Sequence, residues 1–198
     1  MRGLLAQWFE QGCQYAPMRV AGHDRRILIQ KFGEKGLTEG AEIGVDRGRF
    51  SEFMFKMIPG LHLTCVDPWE LHFRGQSRYE STVRRLAPHN ATIIRKFSMD
   101  ALVDVPDNSL DFVYIDANHT FDYVMQDIIE WSKKVKFGGV IAGHDYYRFR
   151  NAGVCAAVDV YTRMHGIEEW FVTDEKMPSF FWLRDKRRFD VTNRQQGD

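Results

Sequence analysis

The stretch AEIGVDRGRF, residues 41–50, decides the fold. Ala41-Glu42-Ile43-Gly44-Val45 is a short apolar run carrying one acid, and Asp46-Arg47-Gly48 breaks it before a segment with helical character. A strand, a glycine-marked turn and a helix start in that order form the opening of a ligand-binding βα unit. Further short apolar runs follow at 61–66, 91–94, 110–115 and 140–142, with helical candidates between them at 49–58, 77–87, 99–105 and 119–136. In the last of these, Phe121, Val124, Ile128, Trp131 and Val135 recur at spacings of three and four, which sets them on one face. Asp122, Asp127 and Glu130 precede Lys133, Lys134 and Lys136, the order the helix dipole favours, and Gly138-Gly139 reads as the stop.

Strands alternating with helices predict a parallel sheet covered on both faces, because parallel neighbours need a crossover. Beyond residue 150 a helix at 153–165 precedes strands at 169–173 and 180–184, joined by DEKMPS, a connection short enough for an antiparallel pair. The expected fold is α/β: a Rossmann-like three-layer sandwich with a mostly parallel seven-stranded sheet and an antiparallel C-terminal hairpin. One domain over 1–198 is expected, with a helical segment at 1–40 that stops near Gly33 or Gly36, a core at 41–184 and a polar tail at 185–198.

Composition narrows the partners. The 198 residues hold 27 Lys plus Arg against 27 Asp plus Glu, so there is no bulk positive field of the kind a general nucleic-acid binder uses. No apolar run approaches the roughly 18 residues of a membrane span, and the first residues lack a secretory apolar stretch. A cytoplasmic protein acting on a small molecule, without a membrane or nucleic-acid partner, is expected; a homo-oligomer is compatible with the sequence. Cys13, Cys65 and Cys155 lie far apart with no Cys-x-x-Cys, so reduced cysteines are expected rather than a disulfide or thiolate zinc site.

In such sheets the ligand lies beyond the carboxyl ends of the strands. The runs end in Asp46, Asp67, Ser98 with Asp100, Asp116 with His119, and His144-Asp145. Gly44-x-x-x-Gly48 lacks the middle glycine of a dinucleotide fingerprint, and Asp46 sits where a diphosphate would need to approach. Asp67 follows Gly44 at roughly the 20-residue interval of an acid that grips ribose hydroxyls. A nucleoside without phosphates that carries a cationic amino acid satisfies all of these features, and S-adenosylmethionine is such a molecule.

Glu42-x-Gly44-x-Asp46-x-Gly48, then LTCVDPWE, LDFVYIDANHTFDYVMQDIIEW and FGGVIAGHDY, together resemble the class I S-adenosylmethionine-dependent methyltransferases over residues 23–184. The chain is most similar to the small sugar and natural-product O-methyltransferases, in which an Asp-x-x-His follows the fourth strand and an acidic pair follows the fifth. The resemblance implies a cofactor site of Glu42, Gly44, Asp46, Gly48, Asp67, Ser98, Asp100 and Asp116. Within it, Gly44 and Gly48 would approach the methionine part, Asp67 the ribose, and Ser98 and Asp100 the adenine. His144 stands where the similar enzymes often carry another carboxylate.

A sugar hydroxyl is a very weak acid, so methyl transfer to it needs a base. His119 is the candidate, three residues beyond Asp116 and with an ordinary pKa near neutrality. Asp116 and Asp145, with His144 beside them, are candidate ligands for a divalent ion such as Mg²⁺, whose charge would acidify a bound hydroxyl. Plainer roles compete: Gly44 and Gly48 as a tight turn and close contact, Asp67 as a turn residue, Ser98 and Asp100 as caps, His119 as a cap of the long helix. Trp69, Phe73, Tyr146, Tyr147 and Phe149 are candidates for an acceptor pocket or for the core, and RDKRRF, 184–189, for an anion contact or a solvated tail. A nicotinamide-dependent oxidoreductase or epimerase is disfavoured by the missing fingerprint and by the lack of Tyr-x-x-x-Lys in the later half. A non-catalytic nucleoside-binding domain would not need Asp116, His119 and Asp145 together.

Overall fold

Each apolar run becomes a strand whose alternate residues feed two cores. The computed structural model describes residues 17–70, 74–148 and 152–185. In chain order its elements are β1 (Met18–Val20), α1 (Arg25–Glu34), β2 (Glu39–Ile43), α2 (Arg49–Met57), β3 (His62–Val66), α3 (Gly75–Leu86) and β4 (Ala91–Ile94). After a 3-10 helix, Asp100–Asp104, come β5 (Leu110–Ile115), α4 (Phe121–Lys134), β6 (Val135–Gly143), α5 (Val154–Met164), β7 (Trp170–Thr173) and β8 (Phe180–Leu183). Along β5, Phe112 and Tyr114 enter one apolar cluster with α1, α2 and α3, while Val113 and Ile115 enter the other with α4 and α5. The result is the expected three-layer sandwich.

The strands form one sheet in the order β1-β7-β8-β6-β5-β2-β3-β4. Strands β2 to β6 are mutually parallel, and β8 runs antiparallel to both β6 and β7. The eighth strand is β1, which pairs in parallel with β7 at the sheet edge. Three residues, Met-Arg-Val, are too few to show alternation, so the seven strands anticipated from sequence become eight. The helix anticipated upstream of Gly36 is present as α1, capped by Asp24, whose side chain accepts from the Arg26 and Ile27 amides.

The Gly138-Gly139 pair does not end the long helix. Helix α4 stops at Lys134, and Val135 already pairs with Leu110, so the glycines lie inside the first half of β6. Phe112 pairs with Val140, which leaves the intervening residues of β6 bulged out. Gly138 has φ +84, and a Cβ on Gly139 would lie 2.5 Å from the Asp111 carbonyl oxygen, so this bulge needs both glycines.

From β2 the chain steps outward through β3 to β4, then returns to lay β5 on the other side of β2. The crevice between the exits of β2 and β5 is therefore the switch point at which such sheets bind ligands. Backbone meets backbone there: Asp116 N donates to Ile43 O at 2.7 Å, and Gly44 turns away at φ +93. A Cβ on Gly44 would lie 2.1 Å from the Asp116 carbonyl oxygen. Gly44→Ala is predicted to cost about 3 kcal/mol, from positive-φ strain plus overlap with main chain that has no rotamer to yield. Urea unfolding measures this, and a loss below about 0.5 kcal/mol would show that the two exits are not packed so closely.

Candidate functional site

A cavity of about 720 Å³ opens at the switch point. Among the residues that line it are Glu42, Gly44, Asp46, Asp67, Ser98, Asp100, Asp116 and His119, contributed by the exits of β2, β3, β4 and β5. Polar groups that the sequence spreads over nearly eighty positions are thus gathered on one rim.

The β2 exit is held by Asp67. Its Oδ2 accepts from the Val45 and Asp46 amides, both at 3.0 Å, and its Oδ1 accepts from the Trp69 amide at 2.7 Å. These bonds fix a loop in which Asp46 itself adopts φ +50. From sequence, Asp46 marks a loop suited to a ligand with a positive or neutral group. Instead its Oδ1 pairs with the Arg78 guanidinium of α3 at 2.5 Å, and its carbonyl accepts from Trp69 Nε1 and Thr82 Oγ1. Asp46 lies on the cavity wall, with its charge directed to α3. Gly48 is the N-cap of α2 and packs against Thr82 of helix α3, a close contact with a helix where one with a strand was the plainer expectation.

Beneath this loop lies Glu42, 2 % exposed, whose carboxylate accepts from the Ser51 hydroxyl on α2. Burial pushes its carboxyl up to about 8; Ser51 opposes the shift, while Asp116 adds to it by like charge. The side chain is therefore protonated at neutral pH. Ser51, nine residues on and fully buried, was missed from sequence, although it stands one helical turn after Gly48 on the face that must pack inward.

The other side of the cavity carries His119 and the groups around it. His119 Nε2 lies 3.1 Å from Asp145 Oδ2 and 3.6 Å from Asp116 Oδ1. It does not cap α4: the Thr120 amide is satisfied by Asn118 Oδ1, and the N-cap makes no side-chain bond to the helix. The adjacent Asp116 carboxylate is the main reason its pKa rises above the ordinary value; burial opposes and the Asp145 charge adds. His144 and Asp145 are buried, at 6 % and 8 % exposure, with His144 Nδ1 3.2 Å from Asp145 Oδ1 and 3.7 Å from Asp116 Oδ2. Burial would raise Asp145, but His144, His119 and Arg25 outweigh it and hold its carboxyl below the usual range. Asp145 also sits at φ +60, the kind of strain that clusters at working sites. Asp116, His144 and Asp145 can each offer one ligand atom within 4.8 Å of the others.

Arg25, from the first turn of α1, joins this cluster unannounced by any local motif: its Nη1 lies 3.9 Å from Asp116 Oδ2 and its guanidinium stacks 4.7 Å from the Phe50 ring. At the β4 exit, Ser98 and Asp100 line the cavity, and neither caps the 3-10 helix through its side chain. A second residue missed there is Asp127. The sequence marks it only as one of the acids in the order the helix dipole favours, yet it is 2 % exposed and shares the inner face with Val124, Ile128 and Trp131.

The aromatic candidates divide. Trp69 is 3 % exposed and is both a core residue and part of the cavity wall. Tyr146 donates to Asp159 and packs edge-on against Trp170, away from the cavity. Arg184 is a fold residue: its Nη1 donates to Asn108 Oδ1 at 2.6 Å and to the Val135 carbonyl, and its guanidinium covers Phe137. Phe73, Phe149, Cys13 and the tail from residue 186 lie outside the described residues. Cys65 is buried and free, and Cys155 is free and half-buried. Among the described residues no helix is long and apolar enough to cross a membrane.

A parallel sheet reversing at β2 and β5, with an acid-bearing glycine loop and acids at the next strand exits, defines a class I methyltransferase fold. The family model described as a methyltransferase domain matches residues 41–146, and the chain belongs to that family, whose cofactor is S-adenosylmethionine. An O-methyltransferase from Bacillus cereus, solved in complex with SAH, superposes with a TM-score of 0.62 at 15 % identity, covering 80 % of this chain and 79 % of that one. The O-methyltransferase TomG from Streptomyces achromogenes, solved with SAM, gives 0.61 at 15 % identity over 80 % of this chain and 78 % of that one. At such identities these likenesses speak for the fold. An uncharacterised protein of Acanthamoeba polyphaga mimivirus is 26 % identical over 133 residues, which span 65 % of this chain and 60 % of the viral protein.

Glu42 has a measurable signature. Because its folded pKa of about 8 exceeds its ordinary value of 4.5, the folded state holds a proton that the unfolded state releases across that window. Stability should therefore fall as pH rises from 4.5 to 8 and level off above. Between pH 5 and 8 the wild type is predicted to lose about 3 kcal/mol more than Glu42→Gln in chemical unfolding. Parallel pH profiles for the two proteins would contradict a protonated Glu42.

Proposed function

We propose that the protein transfers the methyl group of S-adenosylmethionine to a hydroxyl oxygen of a small acceptor, a sugar or glycosylated metabolite being the favoured class. The observation that carries this reading is the His119 imidazole, held within 3.6 Å of carboxylates from two adjacent strand exits at the edge of the cavity. A binding domain has no use for such a group, whereas transfer to a weakly acidic hydroxyl requires a base with a fixed orientation.

In the proposed step a lone pair of the acceptor oxygen forms the new C–O bond as the methyl–sulfur bond breaks, and that bond's electrons remain on sulfur to give S-adenosylhomocysteine. The hydroxyl proton passes to Nδ1 of neutral His119, whose Nε2–H donates to the Asp145 carboxylate. Asp116 and Asp145 orient the ring and stabilise the imidazolium that results. Gly44 and Asp46, on the cavity wall, lie beside the amino-acid end of the cofactor, with protonated Glu42 beneath them. Asp67, with three backbone bonds already made, retains acceptor capacity for a ribose hydroxyl. Ser98 and Asp100 lie toward the base. Arg25 over Phe50 provides a donor on the acceptor side.

Asp116, His144 and Asp145 also fit a divalent cation. Asp145 Oδ1 is buried with only His144 Nδ1 beside it, and the three ligand atoms converge. Two carboxylates with one imidazole suit Mn²⁺ as well as Mg²⁺. When bound, such an ion supplies positive charge that acidifies a nearby hydroxyl.

The test is turnover on a panel of free and glycosylated hydroxyl compounds, read as S-adenosylhomocysteine released. His119→Gln is predicted to lower kcat by about 10²–10⁴ while leaving cofactor affinity unchanged. Since the base must be neutral and its pKa is raised, wild-type kcat/KM should climb with pH through an inflection above 6.5. A His119→Gln enzyme with wild-type kcat, or a rate that falls over that pH range, would remove the assignment.

A further inference from the structure

We propose that the acceptor is anionic and that Arg25 is its specificity residue, the guanidinium holding a carboxylate or phosphate group carried close to the hydroxyl that is methylated. This rests on the reading that His119 faces that hydroxyl and that the cavity holds the methyl donor. Arg25 is not part of the cavity wall; it lies over the ring of Phe50, which is, with the guanidinium 4.7 Å from the ring centre. Asp116 is the boundary between the two regions. It lines the cavity, its Oδ2 is 3.9 Å from Arg25 Nη1, and its Oδ1 is 3.6 Å from His119 Nε2. A group that meets Arg25 therefore belongs to the second substrate and arrives next to the base.

The arginine is fixed in place yet has donors to offer. Its amide donates to Glu175 Oε1 at 2.8 Å, the Gly22 amide donates to Asp174 Oδ2 at 3.1 Å, and the Asp174 amide donates to the His23 carbonyl at 2.7 Å. The start of α1 is thus tied to the β7–β8 connection. Phe50 supports the guanidinium by a cation–π contact that uses none of its N–H groups. Among the described residues the guanidinium makes no hydrogen bond, since its approach to Asp116 is too long for one, and the side chain is 34 % exposed. The carboxylates around it have nearer partners. Asp145 lies 3.1 Å from His119 and 3.2 Å from His144, Asp116 is closer to both imidazoles than to Arg25, and Glu175 Oε1 also accepts from Thr173 Oγ1. A permanently charged, planar fork of N–H donors, held ready and unbonded, matches a carboxylate or phosphate better than a neutral hydroxyl.

The test is calorimetric titration of the full chain, saturated with S-adenosylhomocysteine, with methyl glucoside, methyl glucuronoside and methyl glucoside 6-phosphate. Wild type is predicted to bind at least one of the two anionic glycosides about 10-fold or more tighter than the neutral one, as charge-assisted hydrogen bonds imply, and the better of the two identifies the anion the fork takes. Arg25→Gln should bring the three affinities within about 3-fold of one another, while Arg25→Lys, which keeps the charge and loses the fork, should retain part of the preference. Arg25→Met, which keeps the packing on Phe50 without charge, gives the same reading if the Gln variant melts early. A wild type that prefers the neutral glycoside, binds all three alike or binds none overturns the proposal. A preference that survives Arg25→Gln also overturns it, because the attraction would then come from another cation. So does an Arg25→Gln protein that loses affinity for S-adenosylhomocysteine and keeps the glycoside ratio, which would assign Arg25 to the cofactor's carboxylate. Failure of the wild type to bind S-adenosylhomocysteine is a different result, seen before any glycoside is added: it removes the methyl-donor reading and the proposal with it.

Discussion

Two backbones touch at Gly44 and Asp116, and most of the site depends on that contact. With no Cβ in the way, the exits of β2 and β5 close to hydrogen-bonding distance, and the chain beyond each turns outward over the same crevice. Asp116 is thereby carried to within reach of His119, His144 and Arg25. Glu42 is sealed beneath the loop that Gly44 begins. A side chain at residue 44 would force these exits apart and separate the two halves of the cavity.

The cavity is electrostatically divided. Around Asp116 and Asp145 gather two imidazoles and a guanidinium; the Asp145 carboxyl is held below the usual range and His119 is made more basic. Around Glu42 the Arg25 charge opposes burial too weakly to matter, and the acid stays protonated. Asp127 is intermediate: ionised at neutral pH, buried, and bonded to the Ser98 hydroxyl. One half of the rim thus sets its acids among basic groups, and the other leaves them buried with weaker compensation.

What the sequence made legible follows from physics that acts over a few residues. Alternation and apolar runs revealed β2 to β8, and turn chemistry revealed where each strand ends, which in a parallel sheet is where the ligand lies. Asp67, Asp116, His119 and Asp145 could be found because they follow such runs immediately. Hidden were features that need the third dimension. Arg25 meets Asp116 only after α1 packs on the sheet, and Ser51 meets Glu42 across a helix and a strand. Asp127 reads like any helical acid until the stripe of Val124, Ile128 and Trp131 is seen to carry it inward. Gly138-Gly139 resembles a helix stop because a β-bulge and a helix end call for the same residue.

The central claim is that an acid-rimmed crevice at the switch point takes a phosphate-free nucleoside bearing a cationic amino acid. Isothermal titration of the full chain with S-adenosylmethionine and, separately, with NAD tests it most directly. The account predicts saturable one-to-one binding of S-adenosylmethionine and no heat from NAD. Binding of NAD with none of S-adenosylmethionine would contradict it.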